Sequence, residues 1–324
     1  MNLQKLVTVI IPTYNREKKL PEAIESALNQ SYQNIQIIVV DDGSIDQTGK
    51  LVKEEYPGVE YYYKENGGQA SARNLGLKHA KGDIIASLDS DDIWYTDFLK
   101  NCVEKLETDK LDFVFANWDQ DTKAGDSWDF LNKDPFLTPY LYKEKDEWID
   151  LNYDEVRELY IKSCPSPSSS LVMRKSSIVS GWDEEMNIGD DWCLYLEMIL
   201  TKECRAAFTL TKLWHKRIDE INVYDGRKWS EVVEFLYIAD AKAKLIKFDK
   251  LLSPKERKTL EQRYMIGLVE FAKHNLIREL NLKYSFILLI RSFAVNIPFT
   301  LKEIPKVFIA GLQNKNKKLK KLLT

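Results

Sequence analysis

Over residues 7–116, short apolar runs alternate with longer stretches in which apolar residues recur every three or four positions. The runs at 7–12, 36–41, 59–64, 83–89 and 112–116 predict strands, and the 3.6-residue periods at 17–30, 46–56, 69–80 and 96–108 predict helices. Such alternation predicts an α/β fold, a Rossmann-like, mostly parallel sheet with helices on both faces. Ligands of such sheets bind beyond the C-terminal ends of the strands. Three loops then meet at one crevice: Pro12-Thr13-Tyr14-Asn15, Asp41-Asp42-Gly43-Ser44 and Asp89-Ser90-Asp91-Asp92.

The rhythm then weakens. Residues 117–160, rich in Trp, Asp, Tyr and Lys, read as a long excursion over the sheet edge that walls a substrate site. From Ser166 the chain re-enters the core, with Ser169 to Arg174 as a strand, a turn at Gly181 and a helix from about Asp190 to Leu200. After Lys228 helices are expected at 228–250, 255–274, 278–292 and 300–312, punctuated by Pro254, Pro298 and Pro305. The expected organisation is one α/β domain over 1–222, in two parts (1–116 and 117–222), followed by a C-terminal helical region with a basic tail (223–324).

With 324 residues, 44% of them hydrophobic, the chain is long and apolar enough for one large or two ordinary cores. Its formal net charge of −3 hides an asymmetry, because residues 301–324 hold seven Lys and one Glu and the rest therefore carries −9. An acidic body argues against nucleic acid as a partner, whereas Lys315, Lys317, Lys318, Lys320 and Lys321 suit an anionic lipid surface. The same end also reads as a helical cap or a contact in a homo-oligomer with a solvated charge run. Pro12 stops the first apolar run too early for a signal peptide, and Arg291 and Asn296 interrupt the run from Leu282 to Phe299 before it spans a bilayer. The expectation is a cytoplasmic protein, peripheral on the inner face of the plasma membrane if the tail binds lipid. Cys102, Cys164, Cys193 and Cys204 show no paired metal spacing and read as reduced packing residues.

The chemistry concentrates after the strand ending at Leu88, where Asp89, Asp91 and Asp92 place three carboxylates within four residues. Crowded like charges call for a cation, and these oxygens suit a hard ion, Mn²⁺ or Mg²⁺, with positions left open for phosphate. An EF-hand is excluded, since Ile93 and Trp94 fall where that loop needs an oxygen ligand and a glycine. No glycine-rich turn follows the first strand and no P-loop motif occurs, which argues against a dehydrogenase and a P-loop enzyme.

Taken in order, Val7-Thr8-Val9-Ile10-Ile11-Pro12-Thr13-Tyr14-Asn15-Arg16, Ile38-Val39-Val40-Asp41-Asp42-Gly43-Ser44, Gly67-Gly68-Gln69-Ala70-Ser71-Ala72-Arg73-Asn74 and Leu88-Asp89-Ser90-Asp91-Asp92 resemble glycosyltransferase family 2. The likeness is strong over residues 5–120, looser over 165–220, and absent from 117–160 and the C-terminal helices. It implies a GT-A fold, a nucleotide-diphosphate sugar donor, a divalent metal and inversion at the anomeric carbon. A UDP-sugar donor and a glycan or lipid-linked glycan acceptor are expected.

On that resemblance Pro12, Thr13, Tyr14, Asp41, Asp42, Arg73, Asp89 and Ser90 bind the donor, Asp42 by accepting from the base, and Asp91 with Asp89 holds the metal. Asp92 is a supporting residue or the cap of the next helix. The later pair Asp190-Asp191 is similar to the family's acidic pair, with Asp190 where Glu is commoner, and Asp191 is the candidate base. A sugar hydroxyl is too weak an acid to ionise at neutral pH, so its attack needs such a carboxylate. Capping of the following helix is the plainer role for the pair. Trp182, Asp190, Trp192, His215 and Arg217 are candidate acceptor or phosphate contacts, although a lone His without a spaced partner is more often structural. A metal-dependent nucleotidyltransferase and a non-catalytic nucleotide-sugar or glycan-binding scaffold are the alternative readings.

Overall fold

The computed structural model describes residues 4–120, 129–217, 226–307 and 309. The expected strands and helices appear as β1 (Val7–Thr13), α1 (Leu20–Leu28), β2 (Ile35–Asp41), α2 (Thr48–Glu55), β3 (Glu60–Tyr63), α3 (Gln69–His79), β4 (Ile84–Ser87), α4 (Phe98–Thr108) and β6 (Phe113–Gln120), with a two-residue strand that was not expected, β5 (Ile93–Trp94), between β4 and α4. Then come α5 (Phe130–Lys133), β7 (Trp148–Leu151), α6 (Tyr153–Lys162), β8 (Leu171–Arg174), α7 (Asp190–Thr201) and β9 (Ala206–Lys216). The described residues fall into two compact units, the first drawn from Met1–Glu185 and Asp190–Asp219, the second from Met186–Gly189 and Glu220–Thr324.

In the first unit the strands run β3-β2-β1-β4-β8-β6-β9-β5, with β7 also on β9. The order β3-β2-β1-β4 is parallel throughout, as the strand–helix alternation requires, because each parallel step needs a crossover. β1 is buried at all seven positions, the mark of a strand covered on both faces. Beyond β4 the sheet becomes mixed: β8 is antiparallel to β4 and β6, β9 is parallel to β6, and β5 and β7 are antiparallel to β9.

Three local readings are corrected. β1 does not stop at Pro12 but pairs Pro12 with Val40 and Thr13 with Asp41. Its pairing with β4 ends at Ile10, so the N–H that proline lacks falls beyond that ladder. The strand expected from Ser169 starts at Leu171, since Ser168–Ser170 forms a 3₁₀ turn after Pro167. The excursion contains a regular helix, α6, entered through a capping box in which Asn152 accepts from the Glu155 amide at 3.0 Å and Glu155 accepts from the Asn152 amide at 2.9 Å.

The second unit is helical: α8 (Trp229–Val232), a π-helical segment (Val233–Asp240), α9 (Ala241–Lys247), α10 (Pro254–Ile277) and α11 (Leu282–Val295), with further helix at 297–307. The single helix expected over 228–250 is thus broken by a π-helical stretch. Val233, Ile238, Ala241, Tyr264, Leu268, Phe271, Ala272 and Leu288 form its core. Among the described residues no helix is long and apolar enough to cross a membrane. The lysines from Lys315 to Lys321 lie outside the described residues.

Candidate active site

β2, β1 and β4 are neighbours, so the loops at their C-terminal ends converge. The first two loops are laced together. The Asp42 amide donates to Thr13 O at 2.8 Å, the Asn15 amide to Ser44 Oγ at 2.8 Å, and the Ile45 amide to Asn15 Oδ1 at 2.9 Å. Gly43 turns with φ +88°, and a Cβ there would lie 2.8 Å from Asn66 N, so only glycine fits.

Asp41 serves the loop itself, its carboxylate accepting from the Ser44 amide at 2.8 Å and from Tyr61 OH at 2.6 Å. Asp42 is buried and faces the glycine pair. It accepts from Lys64 Nζ at 2.7 Å, the Gly67 amide at 2.9 Å and the Gly68 amide at 2.7 Å. Asp42 thereby fixes the start of α3 and, with it, Arg73.

Arg73 is 1% exposed and joins motifs that lie more than a hundred residues apart in the chain. Its Nη1 donates to Asp190 at 2.7 Å, its Nη2 to Asp89 at 2.7 Å, and Asp191 Oδ1 lies 3.8 Å from Nη1. Burial works against this guanidinium's charge, but Asp191, Asp89 and Asp190 outweigh it and hold the arginine firmly protonated. Burial and then Asp191 raise the Asp190 carboxyl above its ordinary range, while Arg73 and a 2.8 Å bond from Gln69 pull it back.

The Asp91 carboxylate pairs with Arg16 at 2.9 Å. Two guanidinium groups, Arg16 and Arg73, therefore supply the positive charge that three crowded carboxylates demand. Asp92 does not cap α4, which begins at Phe98; it accepts from Ser169 Oγ at 2.6 Å and the Arg217 amide at 3.3 Å. Burial, with Asp91 and Asp89 beside it, pushes its carboxyl well above the usual range.

The short turn at Ser168–Ser170 ties both acidic motifs to the sheet. Ser169 Oγ accepts from the Asp89 amide at 3.0 Å, and Ser168 donates to Asp191 Oδ1 at 2.6 Å. The Trp182 indole N–H donates to the same oxygen at 2.9 Å. Asp191 is thus held from two sides at the first turn of α7.

Of the sequence candidates, Pro12, Thr13, Asp42, Arg73, Asp89, Ser90, Asp91, Asp190 and Asp191 gather on these loops or beside them, and Tyr14 stands 46% exposed at their edge. Trp192 does not line the crevice: it is a core residue whose indole donates to Tyr160 O at 2.7 Å. Arg217 braces the loop instead of presenting its charge, with Nε bonded to Asp91 O, Nη2 to Lys19 O at 3.1 Å, and Nη1 paired with Glu22 at 3.0 Å. His215 is not solitary, since Nδ1 lies 2.6 Å from Asp119 Oδ1. Arg16, Lys64, Gln69 and Ser168 were missed. Arg16 and Gln69 stand inside the quoted motifs, and the run Pro165-Ser166-Pro167-Ser168 carries a readable turn signal.

Asp89 and Asp91 offer hard carboxylate oxygens to a divalent metal, and the Asp89 side chain is 35% exposed. Among the described residues no group of three or more acidic, His or Cys side chains forms a self-sufficient metal cage. Two carboxylates are what an ion of the Mg²⁺ class would take from a protein, with water and substrate phosphate completing its shell.

The family model described as glycosyl transferase family 2 matches residues 8–178, 171 of the 324 positions. The chain belongs to glycosyltransferase family 2. The mixed α/β sheet with its helices is the GT-A-like fold expected of that family.

The chain is 41% identical over 213 residues, covering 63% of this chain and 74% of the relative, to an Escherichia coli UDP-Glc:α-D-GlcNAc-diphosphoundecaprenol β-1,3-glucosyltransferase, WfaP. An uncharacterized glycosyltransferase of Rickettsia typhi is 32% identical, over 60% of this chain and 58% of its own length. The chain spans only 20% to 58% of the length of five rickettsial relatives it matches. Among solved structures, S. aureus TarS 1-349 with UDP-GlcNAc superposes with a TM-score of 0.58 at 18% identity, over 94% of this chain and 92% of that one. Mannosyltransferase PcManGT of Pyrobaculum calidifontis with GDP-Man and Mn²⁺ gives 0.55 at 19% identity, over 97% and 88%.

Proposed function

We propose that this glycosyltransferase moves a sugar from a UDP-sugar to a hydroxyl of a lipid-linked glycan, with inversion at the anomeric carbon and Asp191 as the base. The observation that carries the reading is Arg73, one buried guanidinium that joins Asp89 on the donor side to Asp190, next to Asp191. Thr13 Oγ1 and Arg73 Nε are also buried without a hydrogen-bond partner, a cost of about 1–3 kcal/mol each that a bound polar ligand would remove.

Pro12, Thr13, Tyr14, Asp41 and Asp42 shape the nucleotide end, with Asp42 acting through Gly67 and Gly68. Arg73 and Ser90 line the diphosphate side. Asp89 and Asp91 are the residues that would hold Mn²⁺ or Mg²⁺, which supplies charge neutralisation for the departing diphosphate. Asp191 accepts the acceptor's hydroxyl proton while that oxygen attacks the anomeric carbon from the face opposite the diphosphate. The bond from carbon to phosphate oxygen breaks, and nucleoside diphosphate leaves with the electron pair. The β-1,3 transfer to a diphosphoundecaprenol acceptor in the name of the E. coli relative supports the acceptor class.

The test is transfer from UDP-sugars to a synthetic lipid-diphosphate-linked sugar, read by NMR of the product's anomeric proton. An α-configured donor is expected to give a β-linked product, with turnover stopped by EDTA and restored by Mn²⁺. An α-linked product, or release of pyrophosphate in place of nucleoside diphosphate, contradicts the reading.

Peripheral attachment to an anionic membrane follows the same acceptor logic. On α11 Leu282, Phe286 and Ile290, spaced four apart, are 67%, 68% and 54% exposed, while Ser285, Leu288 and Ser292 on the other face are buried. On the following helix Ile297 and Leu301 are also exposed, at 57% and 59%, ahead of the lysine-rich tail. The full chain is expected to co-sediment with phosphatidylglycerol vesicles at least tenfold better than with neutral ones. Phe286→Glu is expected to abolish most of that binding. Equal partition to both vesicle types, or a dimer that Phe286→Glu dissociates, rejects the membrane assignment.

A further inference from the structure

The two oxygens of Asp191 have unequal surroundings, and every contact falls on one of them. Oδ1 accepts from Ser168 Oγ at 2.6 Å and from the Trp182 indole N–H at 2.9 Å, and lies 3.8 Å from Arg73 Nη1. Among the described residues Oδ2 accepts no hydrogen bond, and the side chain is 21% exposed. Both donors are themselves fixed within the sheet unit. Ser168 is buried in the 3₁₀ turn that a 3.0 Å bond from the Ser170 amide to Pro167 O closes. The next residue, Ser169, accepts from the Asp89 amide at 3.0 Å, donates to Asp92 Oδ2 at 2.6 Å, and accepts the Trp94 indole N–H on its carbonyl at 2.7 Å. One short turn thus carries, on adjacent residues, the contact to the donor-side loop and the contact to the proposed base. Trp182 is buried as well, its amide donating to Asn74 Oδ1 at 2.8 Å and its carbonyl accepting from Asn74 Nδ2 at 2.8 Å, so that it is tied to the residue that follows Arg73 on α3.

We infer that Ser168 and Trp182 are positioning residues for the base: together they engage Oδ1 and leave Oδ2 as the atom that takes the acceptor's proton. The inference rests on the reading of Asp191 as base. A carboxylate on a single methylene turns freely unless its oxygens are held, and bonds donated to an ionised oxygen are about twice as strong as neutral ones. Two donors on the same oxygen, arriving from different segments, fix the plane of the carboxylate and the direction in which Oδ2 points. A misplacement of about 1 Å in a catalytic group is enough to cost on the order of 10²-fold in rate. The Ser168 hydroxyl and the Trp182 indole bond to none of the residues assigned to the donor or the metal, so their loss acts on kcat and not on donor affinity.

The experiment uses the full chain carrying Ser168→Ala, which removes a single hydroxyl, and in a second variant Trp182→Phe, which keeps an aromatic ring but loses the N–H. The kcat of Ser168→Ala is expected to fall about tenfold and that of Trp182→Phe at least threefold, with donor KM and calorimetric donor Kd within twofold of wild type. In an Asp191→Asn background, where no base is left to position, Ser168→Ala is expected to change the residual kcat by less than twofold. A folded Ser168→Ala enzyme with wild-type kcat overturns the inference. So does a parallel loss of kcat and donor affinity, or an undiminished tenfold loss in the Asp191→Asn background, each the mark of general damage. Asp191→Asn alone separates the two ideas: if it stays active the base assignment fails, and if it is inactive while Ser168→Ala keeps its kcat only the positioning role fails.

Discussion

Asp191→Asn is expected to lower kcat for sugar transfer by about 10²–10⁴-fold, the usual contribution of a general base, while the protein stays folded and donor affinity changes little. The amide keeps the size of the carboxylate, and its oxygen still accepts from Ser168 and Trp182, which hold Oδ1 at 2.6 and 2.9 Å. What disappears is the capacity to take a proton. Arg73 loses only the weaker of its partners, at 3.8 Å, and keeps Asp190 and Asp89 at 2.7 Å. The variant therefore separates the base role from plain capping of α7, because a cap can be served by Asn as well as by Asp. Steady-state transfer kinetics and donor calorimetry check it, and an Asp191→Asn enzyme with wild-type kcat would falsify the base assignment.

Arg73→Met is expected to have the largest structural effect. Removing one member of a buried ionic group leaves its partners uncompensated, at a cost of about 3–5 kcal/mol. Here Asp190 is as buried as Arg73 itself, with Asp191 next to it and Asp89 on the other arm. For a unit of this size the loss corresponds to a fall in Tm on the order of 10 °C. Donor affinity is expected to drop with it, because the guanidinium also sets the position of Asp89. Arg73→Lys does not rescue either effect, since an ammonium has no planar fork to reach Asp190 and Asp89 together. Scanning calorimetry checks this, and a Tm within 2 °C of wild type would sink the account of Arg73 as the joint of the site.

Much of this arrangement was legible in the chain. The strand–helix alternation implies the parallel sheet and the loops at its strand ends, while the order β3-β2-β1-β4 is read only from the structure. The motifs also led to the correct residues for the ends of those strands. What stayed hidden was pairing. Nothing local to Arg16 points to Asp91, seventy-five residues away, and nothing local to Ser168 points to Asp191. β7 is short and lies in the weakly periodic stretch 117–160, where the Asn152–Glu155 capping box is the readable signal, whereas β8 was expected and merely starts two residues late. Trp192 and Arg217 look chemical in the sequence because aromatic and cationic residues serve both cores and sites; only their partners, Tyr160 O and Lys19 O, separate the two uses.

The measurement closest to the central claim is calorimetric titration of the full chain with UDP, a panel of UDP-sugars and GDP-mannose, each with Mn²⁺ and with EDTA, repeated for Asp91→Asn. The account predicts saturable binding of one nucleotide sugar, at least tenfold weaker in EDTA and in the variant. A folded protein that gives no binding heat with any nucleotide, or one whose binding ignores both EDTA and Asp91→Asn, contradicts it.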